Sequence, residues 1–254
     1  MLIFIGTGIW DENDISLRGI EAAKRADEVY AEFYTSKPAI NIERLSNLIG
    51  KEIRILERSD LEEKSIELVR KSREADIALL IPGDPMIATT HAALRVQASQ
   101  NGVETRIIHS SSIVSAVCGI TGLQNYRFGR SATISYPRKS VSRFPAETIR
   151  ANLAINAHTL LYLDLHPEPM RIEQAVSVLE KLDKNFLNLF AVGIARAGSV
   201  DCITKCERLR KLREFDFGAP MHVLVILAPR IHITEYEYLR EFASAPEDLK
   251  ALIE

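Results

Sequence analysis

The residues best placed for chemistry in this 254-residue chain lie where apolar runs end in glycine turns. Ile77–Ile81 is apolar and stops at Pro82-Gly83-Asp84-Pro85. This puts a carboxylate and a tight backbone turn at the carboxyl end of a buried strand, the edge where open α/β sheets bind ligands. Asp84 there can accept hydrogen bonds from a ribose or an amino group, or lie near a sulfonium cation. The alternative is an aspartate that only caps the next helix. A second turn, Gly6-Thr7-Gly8, follows the apolar Leu2–Ile5 and lets backbone N–H groups approach a ligand closely. It lacks the third glycine of a dinucleotide fingerprint, because the chain continues Ile9-Trp10-Asp11, and no Gly-Lys-Ser/Thr follows as in a phosphate loop. Nicotinamide and triphosphate ligands are therefore disfavoured.

Other reactive side chains form no constellation. His91 opens the segment after Asp84 and reads as structural. His109, His158, His166, His222 and His232 are scattered, and no serine or cysteine sits in a nucleophile elbow. Cys202 and Cys206, four apart, would share a helix face, but a metal needs about four ligands and none lies nearby in sequence. Reduced thiols and a cytoplasmic setting are expected. Basic residues gather at Arg127, Arg130, Arg138, Lys139 and Arg143, on a loop expected to rim a cleft, where they could meet a macromolecular substrate. Arg208, Arg210, Lys211 and Arg213 read as a solvated helix face.

The elements that must position these residues alternate. Strands are expected at Leu2–Ile5, Val29–Phe33, Ile53–Leu56, Ile77–Ile81 and Thr105–Ile108. Between them, helices carry Leu17, Ile20 and Ala23, then Leu45 and Ile49 (capped by Asn41, closed by Gly50), then Leu61, Leu68 and Val69. The third helix is expected to start with a Ser59/Glu62 capping box, and a fourth spans Thr90 to Gln100. Past Ser110-Ser111-Ser112 comes a second series. Its helices are expected at Ile113–Thr121, from Pro145 to Asn156, Pro169–Leu182, Thr234–Phe242 and Pro246–Ile253. Its strands are expected at Ala132–Ser135, Thr159–Leu163, Leu189–Ile194 and Val223–Leu227. The reading is two α/β domains, 1–111 and 112–254, with a mostly parallel first sheet, a mixed second sheet and a ligand cleft between them. The chain is 46% hydrophobic and 26% charged with a net charge of -2, so no global field points to nucleic acid or membrane. Its apolar runs are strand-length, too short to span a bilayer.

Several segments together carry a family resemblance: IGTGIWDENDIS at 5–16, PGDPMIATTH at 82–91, HSSSIVSAVCGITGLQNYRFGRSATI at 109–134, HTLLYLDL at 158–165, ARAGS at 195–199 and FGAPMHVLVILAPRIHITEYEYL at 217–239. In this order they resemble the diphthine synthases, a family of the tetrapyrrole-methylase-like class of S-adenosylmethionine-dependent methyltransferases. The length is closer to the archaeal form than to the eukaryotic one. The resemblance implies a homodimer of two-domain subunits that binds S-adenosyl-L-methionine through Ile9, Asp84, Ile87, Ser112, Ile113, Leu163, Ala197 and His222, with S-adenosyl-L-homocysteine as product. It implies methylation of the amino group of a 3-amino-3-carboxypropyl histidine on elongation factor 2, with three methyls in the archaeal type. No catalytic base is named by it. The chain departs from the family at Cys202-Ile203-Thr204 and Cys206-Glu207, where Pro-Thr-Ile and a later Gly are usual, and at Ala228-Pro229-Arg230, where Pro-Gly is usual. Two other readings stay open: a same-fold methyltransferase acting on a tetrapyrrole precursor or ribosomal RNA, and an inactive donor-binding module.

Overall fold

The computed structural model describes residues 1–137 and 139–254. It divides into two compact units, Met1–Ile113 and Val114–Glu254; the junction expected from sequence was 111/112. Arg138, one of the basic residues noted above, lies outside the described residues.

The first unit is a five-stranded, wholly parallel sheet. Its strands are β1 (Leu2–Gly6), β2 (Glu28–Glu32), β3 (Ile53–Leu56), β4 (Ile77–Ile81) and β5 (Thr105–Ile108), in spatial order β3-β2-β4-β1-β5. The central strands read as continuous apolar runs because both faces are covered; β4, Ile-Ala-Leu-Leu-Ile, is buried throughout. One face packs on α1 (Leu17–Arg25) and α2 (Ile42–Ile49), joining Ile3, Ile5 and Leu80 to Ala22, Ala23, Leu45 and Ile49. The other packs on α3 (Arg58–Glu62), α4 (Ser65–Lys71) and α5 (His91–Gln100), joining Leu2, Phe4, Leu79 and Ile81 to Leu61, Val69, Leu94 and Ala98. Each such buried Leu or Ile contributes about 1.5–3 kcal/mol.

Local signals act as their chemistry dictates in α2: the Asn41 side chain accepts from Arg44 N at 3.0 Å, and Gly50 closes the helix at φ 73°. The expected Ser59/Glu62 box does not form. Glu57 and Asp60 make the reciprocal cap instead, and what read as one helix is two, α3 and α4. Acidic side chains can serve where Ser was expected, since the cap needs only an acceptor oxygen and a reach of three residues.

Helix α6 (Ile113–Thr121) begins at the junction, and the second unit builds a mixed sheet. Its strands are β6 (Ala132–Ile134), β7 (Thr159–Leu163), β8 (Phe190–Ala195), β9 (Ile203–Arg208) and β10 (His222–Ile226), in order β6-β7-β10-β8-β9. Among the described residues, the neighbouring pair β6–β7 is parallel, and the pairs β7–β10, β10–β8 and β8–β9 are antiparallel. Helices α7 (Phe144–Ala154), α8 (Ile172–Leu182) and α9 (Leu209–Leu212) close one face around Ile149, Val176, Leu179, Leu224 and Ile226. Helix α10 (Ile233–Ala243) lies against β9, and a 3-10 turn at Glu247–Leu252 replaces the last expected helix. The segment of Cys202 and Cys206 is not helical: Cys206 lies in edge strand β9, paired with β8 over six residues, and Cys202 just precedes it. The basic group after it is largely engaged. Arg208 lies 4.0 Å from the Phe190 ring centroid and pairs with Asp248, Lys211 with Glu207 and Arg213 with Glu180.

Candidate active site

Strand order places the two glycine turns side by side. β1 and β4 are neighbours, yet the chain leaves β1 toward α1 on one face and leaves β4 toward α5 on the other. Their carboxyl ends therefore flank a topological switch point, where open α/β sheets leave a crevice. The turns are tied together by the backbone: Gly83 N donates to Gly8 O at 2.7 Å, Gly8 N to Gly83 O at 3.3 Å and Thr7 N to Ile81 O at 2.8 Å. A Cβ on Gly6 would stand 2.5 Å from Gly83 O and 2.7 Å from Ser110 Cβ, so glycine is required there for close approach. Gly8 and Gly83 adopt φ 85° and 69°, which favours glycine.

Asp84 is buried and organises this edge. Its Oδ1 accepts from Met86 N at 3.0 Å; its Oδ2 accepts from Ser110 N at 3.3 Å and from His109 Nδ1 at 2.8 Å. It is not a helix cap: α5 begins seven residues later, at His91. Asp84 thus joins the β4 turn to the segment after β5. Ile87, 42% exposed, and half-buried Ile9 add apolar surface at the turns. Asp14 fixes the Ile9 loop by accepting Trp10 N at 2.7 Å. Ser112 is buried and Ile113 opens α6. A carboxylate offers about four acceptor sites, and three bonds occupy Asp84. Asp84 thus keeps acceptor capacity beside partly exposed apolar side chains, the mixture of polar and apolar lining that small-molecule sites combine.

The same edge holds a pair that sequence reading missed. Glu32, at the end of β2, is fully buried and accepts from Tyr34 N and Thr35 N, both at 3.1 Å, and from Thr35 Oγ1. His91 Nε2 lies 3.3 Å from Glu32 Oε1, without hydrogen-bond geometry. The Tyr34 ring stacks on His91, and burial, then the Glu32 charge, push the Tyr34 hydroxyl up to about 12. His91, at the start of α5, is buried beside the end of β2. The available signal was a lone glutamate ending an apolar strand.

In the second unit, Leu163 ends β7, Ala197 follows β8 and His222 begins β10. Because β10 runs antiparallel to both neighbours, with His222 opposite Ala195 and Val223 opposite Tyr162, these three residues gather at one sheet edge. Both His222 nitrogens are engaged: Nδ1 accepts from Ile172 N at 3.3 Å and Nε2–H donates to Ala219 O at 3.1 Å. Burial holds its pKa down at about 4, assisted by the positive charges of Arg171 and Arg196, so the ring is neutral. Arg196 is a positioning residue that the histidine-centred reading passed over. At φ 51° it donates to Phe217 O (2.9 Å), Ala219 O (2.6 Å) and Asp201 O (2.9 Å), clasping the loop before His222 to the loop that carries Ala197.

The basic loop is less available than its sequence suggested. Arg127 is mostly buried and bonded to Glu235, Glu254 and Arg230 O, while Arg130 stacks on Phe144. Lys139 and Arg143 remain exposed.

A two-sheet α/β chain with a glycine-lined switch point matches a known class: residues 1–206 fit the model of the tetrapyrrole (corrin/porphyrin) methylases, so the chain is a methylase. It is 54% identical to a diphthine synthase from Archaeoglobus fulgidus over the full length of both, and 45% identical to one from Methanospirillum hungatei, covering 96% of this chain and 98% of that one. A crystal structure of diphthine synthase superposes with a TM-score of 0.96 at 54% identity, covering 99% of each chain. The chain belongs to the diphthine synthase family of methyltransferases.

Proposed function

We propose that this protein uses S-adenosyl-L-methionine to methylate the amino group of a 3-amino-3-carboxypropyl histidine on elongation factor 2, adding three methyls to give diphthine, a step of diphthamide biosynthesis. The observation that carries the reading is full-length similarity to diphthine synthases, joined to a carboxylate anchored at the switch point of a parallel sheet. The proposed donor contacts are Ile9, Asp84, Ile87, Ser112 and Ile113 of the first unit and Leu163, Ala197 and His222 of the second. The donor supplies the methyl and its own thioether leaving group. The chain's residues then have three tasks: align the acceptor nitrogen, exclude water, and accept a proton. Neutral His222 adds no positive charge near a cationic ligand. A homodimer in the cytoplasm is the proposed setting; among the described residues no helix is long and apolar enough to cross a membrane.

The test is transfer of labelled methyl groups to elongation factor 2 that carries the 3-amino-3-carboxypropyl group, beside the same factor without it. Label on the modified factor alone is expected. Label on neither, with donor binding shown by calorimetry, contradicts the assigned acceptor.

A further inference from the structure

We propose that His109 is the catalytic base of this methyl transfer, taking the proton of the acceptor amine at Nε2 while Asp84 holds the ring; the inference rests on the acceptor chemistry proposed above. His109 follows β5 directly, and its side chain is 72% exposed. Its Nδ1 meets the buried Asp84 carboxylate at 2.8 Å. That carboxylate is fixed by two backbone amides, Met86 N and Ser110 N. With Asp84 as acceptor, Nδ1 carries the hydrogen of the neutral ring and Nε2 keeps its lone pair. A carboxylate that orients an imidazole in this way is the recurring arrangement of general-base sites.

The buried histidines do not offer the same group. His91 is 2% exposed against buried Glu32. His158 accepts Ala228 N at Nδ1 and meets Glu235 at Nε2, and His222 has both nitrogens engaged. His232, on the surface, uses Nδ1 to cap α10 and has no carboxylate orienting its ring. Among the described residues, His109 alone joins an exposed ring to a buried, anchored carboxylate. That carboxylate belongs to the turn proposed to meet the donor. Among the described residues, Asp84 is the titratable group in contact with His109; Asp14, from the loop after β1, reaches the neighbouring Ser110, its carbonyl taking the Ser110 hydroxyl at 3.5 Å and its carboxylate taking Trp10 N.

The chemistry balances. The amine enters as an ammonium and must lose one proton before its nitrogen can attack. An N–CH3 bond then forms as the donor's S–CH3 bond breaks, with the electron pair left on sulfur. The first and second products are again ammonium ions with a proton to lose, so the base acts before each of three transfers. The third product is quaternary and has no proton. His109 passes each proton to water, which its exposure allows.

The test pairs His109→Ala and His109→Gln with wild type in single-turnover methylation across pH, with donor affinity measured by calorimetry. Both variants are expected to bind donor as wild type does and to react roughly a hundred-fold more slowly near neutrality. The deficit should shrink as pH rises and free amine accumulates without help. A second readout needs no turnover: nitrogen NMR of the His109 ring should show the Nδ1–H form in wild type and loss of that preference in Asp84→Asn. An unchanged rate, or a deficit constant with pH, overturns the role of His109 while the methyltransferase reading stands. No transfer by wild type overturns both, and an NMR signal showing Nε2–H in wild type overturns the orientation by Asp84.

Discussion

Asp84 holds three donors on two carboxylate oxygens, from Met86, Ser110 and His109. Removing the carboxylate leaves two backbone amides and an imidazole without their partner, and takes away the acceptor proposed to meet the methyl donor. Asp84→Ala should weaken donor binding by about 2 kcal/mol, or roughly thirty-fold in Kd. Calorimetric titration with S-adenosyl-L-homocysteine reads this directly, and an unchanged Kd would remove Asp84 from the donor site. Asp84→Asn keeps the size and one acceptor oxygen, so it should bind donor better than the alanine variant. Sequence alone left Asp84 divided between ligand contact and helix cap. The structure removes the cap, because α5 begins at His91. The tie to His109 was not legible, since 25 residues separate the two and only the placement of β5 beside β1 brings them together.

At the level of elements, the site depends on how closely β1 and β4 finish. Gly6 sits where a methyl group would meet Gly83 O and Ser110 Cβ, one of them backbone. Gly6→Ala should force the two turns apart, at a cost of about 1–3 kcal/mol typical of overpacking. The expected result is a lower urea midpoint together with weaker donor binding; a variant as stable and as tight as wild type would show that the turns can separate freely. Most strands of the first unit were readable because a parallel sheet buried on both faces demands apolar runs, as in Ile77–Ile81. The mixed sheet hid β9, since Ile203–Arg208 is an edge strand whose alternation of Thr, Lys and Glu with Cys lacks that signature. Cys202, just before the strand, and Cys206 within it suggested a helical spacing that extended chain also satisfies. The departures at Cys202–Glu207 therefore fall mostly on this edge strand. Glu32 and Arg196 were missed for a related reason: each is polar, isolated in sequence, and given its role by partners on other elements.

At the scale of the molecule, acid stability follows two buried groups of the second unit. His222 is held at about 4 by burial and by neighbouring arginines, below the usual 6.5. For Glu235, burial raises the pKa, but hydrogen bonds from His158, Gln124 N and His232 N outweigh it and hold the carboxyl at about 2, below the usual 4.5. Both groups are depressed relative to the unfolded chain, so their contributions are complete at neutral pH and decline on acidification. The loss attached to His222 spans pH 6.5 down to about 4, and that attached to Glu235 spans 4.5 down to about 2. Each is worth on the order of 3 kcal/mol. Urea midpoints followed across pH should fall in both windows. His222→Gln should flatten the upper window and Glu235→Gln the lower. A midpoint constant from pH 7 to 4 in wild type would contradict the first assignment.

The family, the switch-point site and the proposed acceptor meet in one measurement: peptide mass spectrometry of elongation factor 2, bearing the 3-amino-3-carboxypropyl histidine, after incubation with this protein and S-adenosyl-L-methionine. The expected outcome is stepwise addition of methyl groups to that histidine, ending at three and resistant to mild alkali, which would strip a methyl ester. A modified histidine of unchanged mass, with donor binding shown in parallel, would contradict the assignment of this acceptor.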